Sequence, residues 1–317
     1  MRGILVFDKP QGVTSSQMLG PIRRILRKKA KVGHAGTLDP FATGVMIGLI
    51  GDTTRLSDLA MGLPKTYETT VRFGTETATL DPEGEVVAQE DPGSTAPADL
   101  DAAVAEFVGE IDQTPPVYSA IKVSGKPAYR WTREGSPPEL TSRRVTIYSI
   151  EILGVEWPDV RLRVRCGAGM YVRSLARDLG VRVGLPASLV ALRRTAVGPF
   201  EAETALRFDP TEPLAPERLE ESLRDPACLV EAADLAALTL PCGDARLFAS
   251  GNPVALPLAT ATRLLDAPVA VFTETESDTS MLVGLGRVEP PASLRASTVL
   301  ATARVHLDST ACSPESP

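Results

Sequence analysis

"GHAGTLDPFATG", Gly33 to Gly44, sets one carboxylate, Asp39, between a loop rich in glycine and threonine and the apolar run VMIGLIG. Gly33, Gly36 and Gly44 permit sharp turns and close approach to a ligand, and Pro40 fixes the chain directly after the acid. On the loop alone, Asp before Pro reads as a turn former; the same layout also presents an isolated carboxylate for chemistry. VMIGLIG reads as a buried strand. Upstream, GILVF reads as a strand, DKPQGVTSS as a turn, and Met18, Leu19, Ile22, Ile25 and Leu26 recur at helical spacing with Ser15 or Ser16 as N-cap. Arg27, Lys28, Lys29 and Lys31 close that helix, where cations suit its dipole without any RNA contact. Downstream, KTYETTVRFG alternates, so Tyr67, Thr69, Val71 and Phe73 share the apolar face of a strand.

Residues 81–99 are rich in Pro, Gly, Asp and Glu and read as a mobile surface loop, followed by a helix on Leu100, Val104, Phe107 and Ile111. The next segment interleaves Lys122, Lys126, Arg130 and Arg133 with Tyr118, Tyr129 and Trp131. That pattern suits bases stacked on rings and phosphates held by cations, and equally an irregular loop packing its own aromatics. DVRLRVRC reads as a half-buried strand with Arg161, Arg163 and Arg165 outward. In GAGMYVRSLARDLG a helix carries Tyr171 and Arg173 at its first turn, where a cation opposes the dipole, so Arg173 calls for a specific anionic partner. Beyond Phe200 come a helix over 216–224, a linker near Asp234 and short apolar runs that suggest a small β-domain.

The 317 residues, 43% of them hydrophobic, suffice for a large domain with a smaller one. Two histidines, His34 and His306, and four cysteines without a C-x-x-C pair argue against a His/Cys metal site and for free thiols. No apolar run approaches the roughly 20 residues of a membrane span, and the N-terminus lacks a signal-peptide core, so a cytoplasmic location is expected. The net charge of −7 is unevenly spread: +6 over 1–72, −11 over 73–112, +8 over 113–200 and −10 over 201–317. The motifs lie in the basic segments, and local surface charge governs attraction of a polyanion, so a nucleic-acid partner stays open.

LVFDKPQGVTSS, GHAGTLDPFATGVMIGLIGDTTRLS, KTYETTVRFG, PPVYSAIKVSGKPAY, CGAGMYVRSLARDLG and LRRTAVGPF, in this order and spacing, resemble the bacterial tRNA pseudouridine synthase TruB family over residues 3–200. The resemblance implies an α+β fold: a mixed, mainly antiparallel sheet flanked by helices over 1–235 with an RNA-clasping insertion at about 113–145. It extends more weakly to a degenerate PUA-like β-barrel over 236–308, leaving 309–317 as a disordered tail. The implied activity is isomerisation of uridine-55 in the tRNA T-loop, without cofactor or metal. The implied roles are Asp39 as nucleophile, Arg173 as its ion-pair partner, Tyr67 against the target base as proton acceptor, and His34 inserted where that base leaves the stack. Lys9, Tyr171, Leu192, Lys122, Lys126 and Arg130 are the implied substrate contacts. The tRNA T-arm is the expected partner, with no membrane, no obligate protein partner and a monomeric chain. A non-catalytic tRNA-binding chaperone of the same fold is the rival reading, against which stand Asp39, Tyr67 and Arg173 together; a guide-RNA-dependent relative is disfavoured by the short N-terminus.

Overall fold

The computed structural model describes residues 1–27, 29–257, 260, 264, 268–274, 280–289 and 298–306. Its centre is a mixed sheet whose main path runs Leu206–Arg207, Gly3–Lys9, Thr43–Ile50, Ala187–Val197, Lys65–Phe73, Asp159–Cys166, Arg143–Glu156, Gly109–Gln113. Neighbours on this path are antiparallel except at two junctions: Leu206–Arg207 beside Gly3–Lys9, and Thr43–Ile50 beside Ala187–Val197.

The two kinds of strand pattern have separate physical causes. Gly3–Lys9 and Thr43–Ile50 are continuous apolar runs because both their faces are covered. Leu5, Phe7 and Met46 face one cluster with Ile22, Leu175 and Leu179, and Ile4, Val6, Val45 and Ile47 face another with Leu229, Ala270 and Leu282. Lys65–Phe73 and Asp159–Cys166 alternate because one face meets water: Val160, Leu162, Val164 and Cys166 are buried, and Arg163 pairs outside with Glu68 and Glu151. Helix Val172–Val183 packs its Val172, Leu175, Ala176 and Leu179 under the sheet and ends at Gly184 with φ 81°.

Local chemistry corrects several expectations. The one helix expected from an N-cap at Ser15 or Ser16 to the cations Arg27 to Lys31 is two, Ser15–Met18 and Gly20–Leu26, because Pro21 has no N–H to donate and opens a new first turn, and the second stops at Leu26 with Arg27 at φ 44°. The N-cap of the first is Thr14, which forms a capping box with Gln17. The helix on Leu100 stops at Ala105, and Ile111 lies on the strand Gly109–Gln113. The acidic stretch after Gly74 is built rather than mobile: Thr75–Thr77 pairs with Val86–Gln89, and Asp81 is 3% exposed. Residues 114–142 project between Gly109–Gln113 and Arg143–Glu156, and hold the short hairpin Lys122–Val123 with Lys126–Pro127 and the helix Ala128–Arg133.

A second sheet, ordered Ala236–Leu240, Pro268–Glu274, Ser280–Glu289, Thr298–His306, Val254–Pro257, packs with helix Cys242–Ala249. The path is that of a five-stranded sheet; the C-terminal tail expected over 309–317 lies outside the described residues. Of the cysteines, Cys166 and Cys228 are free, whereas Cys242 is disulfide-bonded, contrary to the expectation of free thiols. No helix among the described residues is long and apolar enough to cross a membrane.

Candidate active site

The Asp39 loop is pinned by its backbone on both sides of the acid. Ser15 Oγ donates to Leu38 O at 2.9 Å and accepts from Leu38 N–H at 2.9 Å. Pro40 O accepts from Gly12 N–H at 2.8 Å and from Lys9 Nζ at 3.1 Å. Lys9 is fully buried, and its ammonium also donates to Pro10 O and Val13 O. Burial lowers it to about 8, against the pull of Asp39 and Glu83. Lys9 therefore fastens two loops together, with its three donors committed to carbonyls.

Arg173 is 4% exposed at the first turn of its helix. Its Nε lies 3.0 Å from Asp39 Oδ2 and its Nη1 3.4 Å from Asp81 Oδ2. Nη1 and Nη2 donate to Thr79 O and Tyr118 O, each at 2.9 Å. A cation at a helix N-terminus is unfavourable by itself, and the two carboxylates and two carbonyls offset it. Geometry and burial fix the Asp39 carboxylate on a bidentate-capable partner. Burial pushes the Asp39 carboxyl above its ordinary value; Arg173 pulls it down, Asp81 pushes it up and Lys9 pulls it down, with the balance upward. The Asp39 side chain still has 35% of its surface exposed, so a substrate atom can reach it.

Tyr67 sits on Lys65–Phe73 at 9% exposure, opposite Arg194 on one side and Val164 on the other. Burial raises its phenol, and the Arg194 guanidinium beside it works against that rise. Leu192, 8% exposed, lies opposite Thr69 on the same pair of strands. His34 is half-buried on Val32–Ala35; burial, then Arg194 and Arg23, lower it toward the neutral imidazole, and its Nδ1 has no hydrogen-bond partner.

Tyr171 caps the Arg173 helix, donating its N–H to Gln113 Oε1 at 2.8 Å, with the Arg143 guanidinium 5.1 Å from its ring. Lys122 and Arg130 are exposed on the projecting segment. Lys126 is turned inward, paired with Glu134 and 4.3 Å from the Trp131 ring centre. That segment joins the site through Tyr118 O. The electrostatic neighbourhood of Asp39 thus brings together Lys9, Tyr67 and Arg173, while Lys122, Lys126 and Arg130 stand apart on the projection.

Two residues of this neighbourhood escape the sequence reading. Asp81 lies in the stretch taken for a surface loop, yet its signal is present: the tetrapeptide TLDP occurs at both 37–40 and 79–82. Arg194 hides beside Arg193 in LRRTAVGPF, two like residues of which strand alternation buries one. Among the described residues no group of His, Cys, Asp and Glu is arranged to hold a metal ion.

The mixed sheet carries an arginine-clamped aspartate and a buried tyrosine, and comparison with known proteins puts the chain in the pseudouridine synthase class. Residues 23–172 match the model of the TruB family pseudouridylate synthase N-terminal domain. The tRNA pseudouridine synthase B of Ralstonia pickettii (strain 12J) is 41% identical over 263 residues, covering 82% of this chain and 81% of that protein. The tRNA pseudouridine synthase B of Mycobacterium sp. (strain KMS) is 46% identical over 233 residues, covering 72% and 77%. A solved structure, the crystal structure of a Cbf5-Nop10-Gar1 complex, superposes with a TM-score of 0.68 at 25% identity, covering 96% of this chain and 84% of that one. The chain belongs to the TruB family and is a pseudouridine synthase.

Proposed function

We propose that this chain converts uridine-55 in the T-loop of tRNA to pseudouridine, with Asp39 as the nucleophile. The observation that carries this reading is Asp39 Oδ2 held 3.0 Å from Nε of a buried Arg173, on a loop fastened at Leu38 and Pro40. The named relatives supply the substrate class, since each is called a tRNA pseudouridine synthase.

The isomerisation breaks the N1–C1′ bond, turns the uracil and joins C5 to C1′; C5 loses a proton and N1 gains one, so atoms and electrons balance without a co-reactant. An ionised carboxylate serves as nucleophile or charge stabiliser at the electron-poor carbon. Tyr67, whose phenol faces the Asp39 neighbourhood, takes the C5 proton, and Leu192 closes the pocket wall. A uridine inside a folded loop must leave its stack to reach Asp39, and His34, kept neutral, fills the space it leaves. Lys9 contributes by holding the loop, and Tyr171 by shaping the cleft beside Arg173.

The exposed Lys122 and Arg130 attract the T-arm phosphates, with Lys126 bracing the projection. Residues 236–308 act as a PUA-like RNA-binding unit with few phosphate contacts, because the C-terminal region is acidic, with a net charge of −10 over 201–317 and no lysine after Lys126. The chain works as a monomer in the cytoplasm, without cofactor, metal or obligate protein partner.

The test is base-resolved mapping of pseudouridine in unmodified tRNA incubated with the full chain. Modification at the T-loop uridine alone, abolished when that uridine is replaced by cytidine, is the expected result; modification elsewhere contradicts the assignment.

A further inference from the structure

Arg194 is 2% exposed, the bulkiest of the fully buried side chains. Its neighbours in kind are ion-paired: Arg173 with Asp39 and Asp81, Arg193 with Asp8. Arg194 forms no ion pair among the described residues; its Nε donates to Val45 O at 2.7 Å and its Nη2 to Gly36 O at 3.0 Å. A buried charge without a counter-charge costs several kcal/mol even when hydrogen-bonded, so a chain that retains one must use it.

Its surroundings say for what. Arg194 lies opposite Tyr67 across one strand junction and opposite Gly44 across the other. As the cross-strand partner of Tyr67, Arg194 brings its guanidinium to the phenol and works against the rise that burial causes there. Gly36, whose carbonyl it holds, turns the chain into the Asp39 loop with φ 79°, and a Cβ there would stand 3.4 Å from Nη1. We propose that Arg194 is a positioning residue that holds the Tyr67 hydroxyl and the Gly36 turn of the Asp39 loop in one frame and places a positive charge at that hydroxyl.

The groups around Tyr67 fit this role. Cys166, Asp39 and burial itself all disfavour a phenolate, and Arg194 is the group that opposes them. The same cation disfavours charge on His34 and, after burial, contributes to lowering Lys9 and Lys65 to about 8. Arg194 is the guanidinium that acts on Tyr67, as Arg173 is the one that acts on Asp39.

The proposal rests on the reading of Tyr67 as proton acceptor, and the test separates the two. The full chain, labelled with fluorotyrosine to bring the phenols into an accessible pH range, is titrated by fluorine NMR. Tyr67→Phe identifies the Tyr67 signal among the five tyrosines. In Arg194→Gln the Tyr67 signal should titrate at higher pH, and kcat should fall about tenfold or more while KM for tRNA stays within about twofold, because the buried guanidinium touches no RNA. Arg194→Lys, which keeps the charge but not the fork, should keep the Tyr67 titration near that of the wild type with a reduced kcat.

An unmoved Tyr67 titration in folded Arg194→Gln overturns the proposal. If that variant does not fold, a wild-type kcat in Arg194→Lys does so. Full activity of Tyr67→Phe would sink the role of Tyr67 alone, and a shifted titration in Arg194→Gln would still support Arg194 at its hydroxyl.

Discussion

At the scale of residues, the site is a chain of charges in which every sign matters. Asp39 and Asp81 share Arg173, and the Asp81 carboxylate raises the cost of ionising Asp39. A reaction that needs the Asp39 carboxylate is lost as pH falls through its pKa, which stands above the ordinary 3.8. Asp81→Asn removes a negative charge that pushes this pKa up and leaves Arg173 to Asp39 alone; both effects move the acid limb of kcat/KM to lower pH. The variant also removes a contact that aims the guanidinium, so kcat near neutral pH should fall by about tenfold. Rate profiles of wild type and Asp81→Asn check this, and an acid limb displaced to higher pH would show that Asp81 does not face Asp39 in the working enzyme.

At the scale of elements, the strands were legible where a single force set their pattern. KTYETTVRFG and DVRLRVRC alternate because one face is buried and the other wet, and VMIGLI is continuous because both faces are covered. Tyr67 could be placed inward on that basis, and Arg173 flagged by its quarrel with the helix dipole. Helix limits were less legible, since apolar spacing runs on through Gly20 and Pro21 and through Phe107 to Ile111, where backbone chemistry or strand pairing ends the helix. Asp81 and Arg194 were hidden for a different reason: their partners lie far along the chain, and only the fold says which of Arg193 and Arg194 points inward. The junction at Gly44 makes this dependence measurable. With φ 114° and a Cβ position 2.1 Å from Arg194 O, it admits glycine alone. Gly44→Ala should lose about 3 kcal/mol or more in urea unfolding, and a loss under about 1 kcal/mol would mean that the two strands can part without consequence.

At the scale of the whole molecule, charge is sorted along the chain: the basic segments 1–72 and 113–200 supply Asp39, Tyr67, Arg173 and the projection, and the acidic segment 73–112 adds Asp81. A net charge of −7 therefore does not forbid a polyanion, and binding should weaken steeply with salt. Lys122→Ala and Arg130→Ala, at exposed cations, should each lower the slope of log affinity against log salt by about 1. Lys126→Ala should lower it less, because Glu134 already neutralises that ammonium. Filter binding of tRNA over a salt series measures all three, and equal slopes for the wild type and the first two variants would place the T-arm elsewhere. The central claim, that this assembly exists to set one carboxylate against one uridine, is tested most directly by Asp39→Asn, which keeps the shape of the side chain and removes its charge. Pseudouridine formation in unmodified tRNA should disappear while tRNA binding stays within a few-fold of wild type; turnover by Asp39→Asn at the wild-type rate would contradict the account.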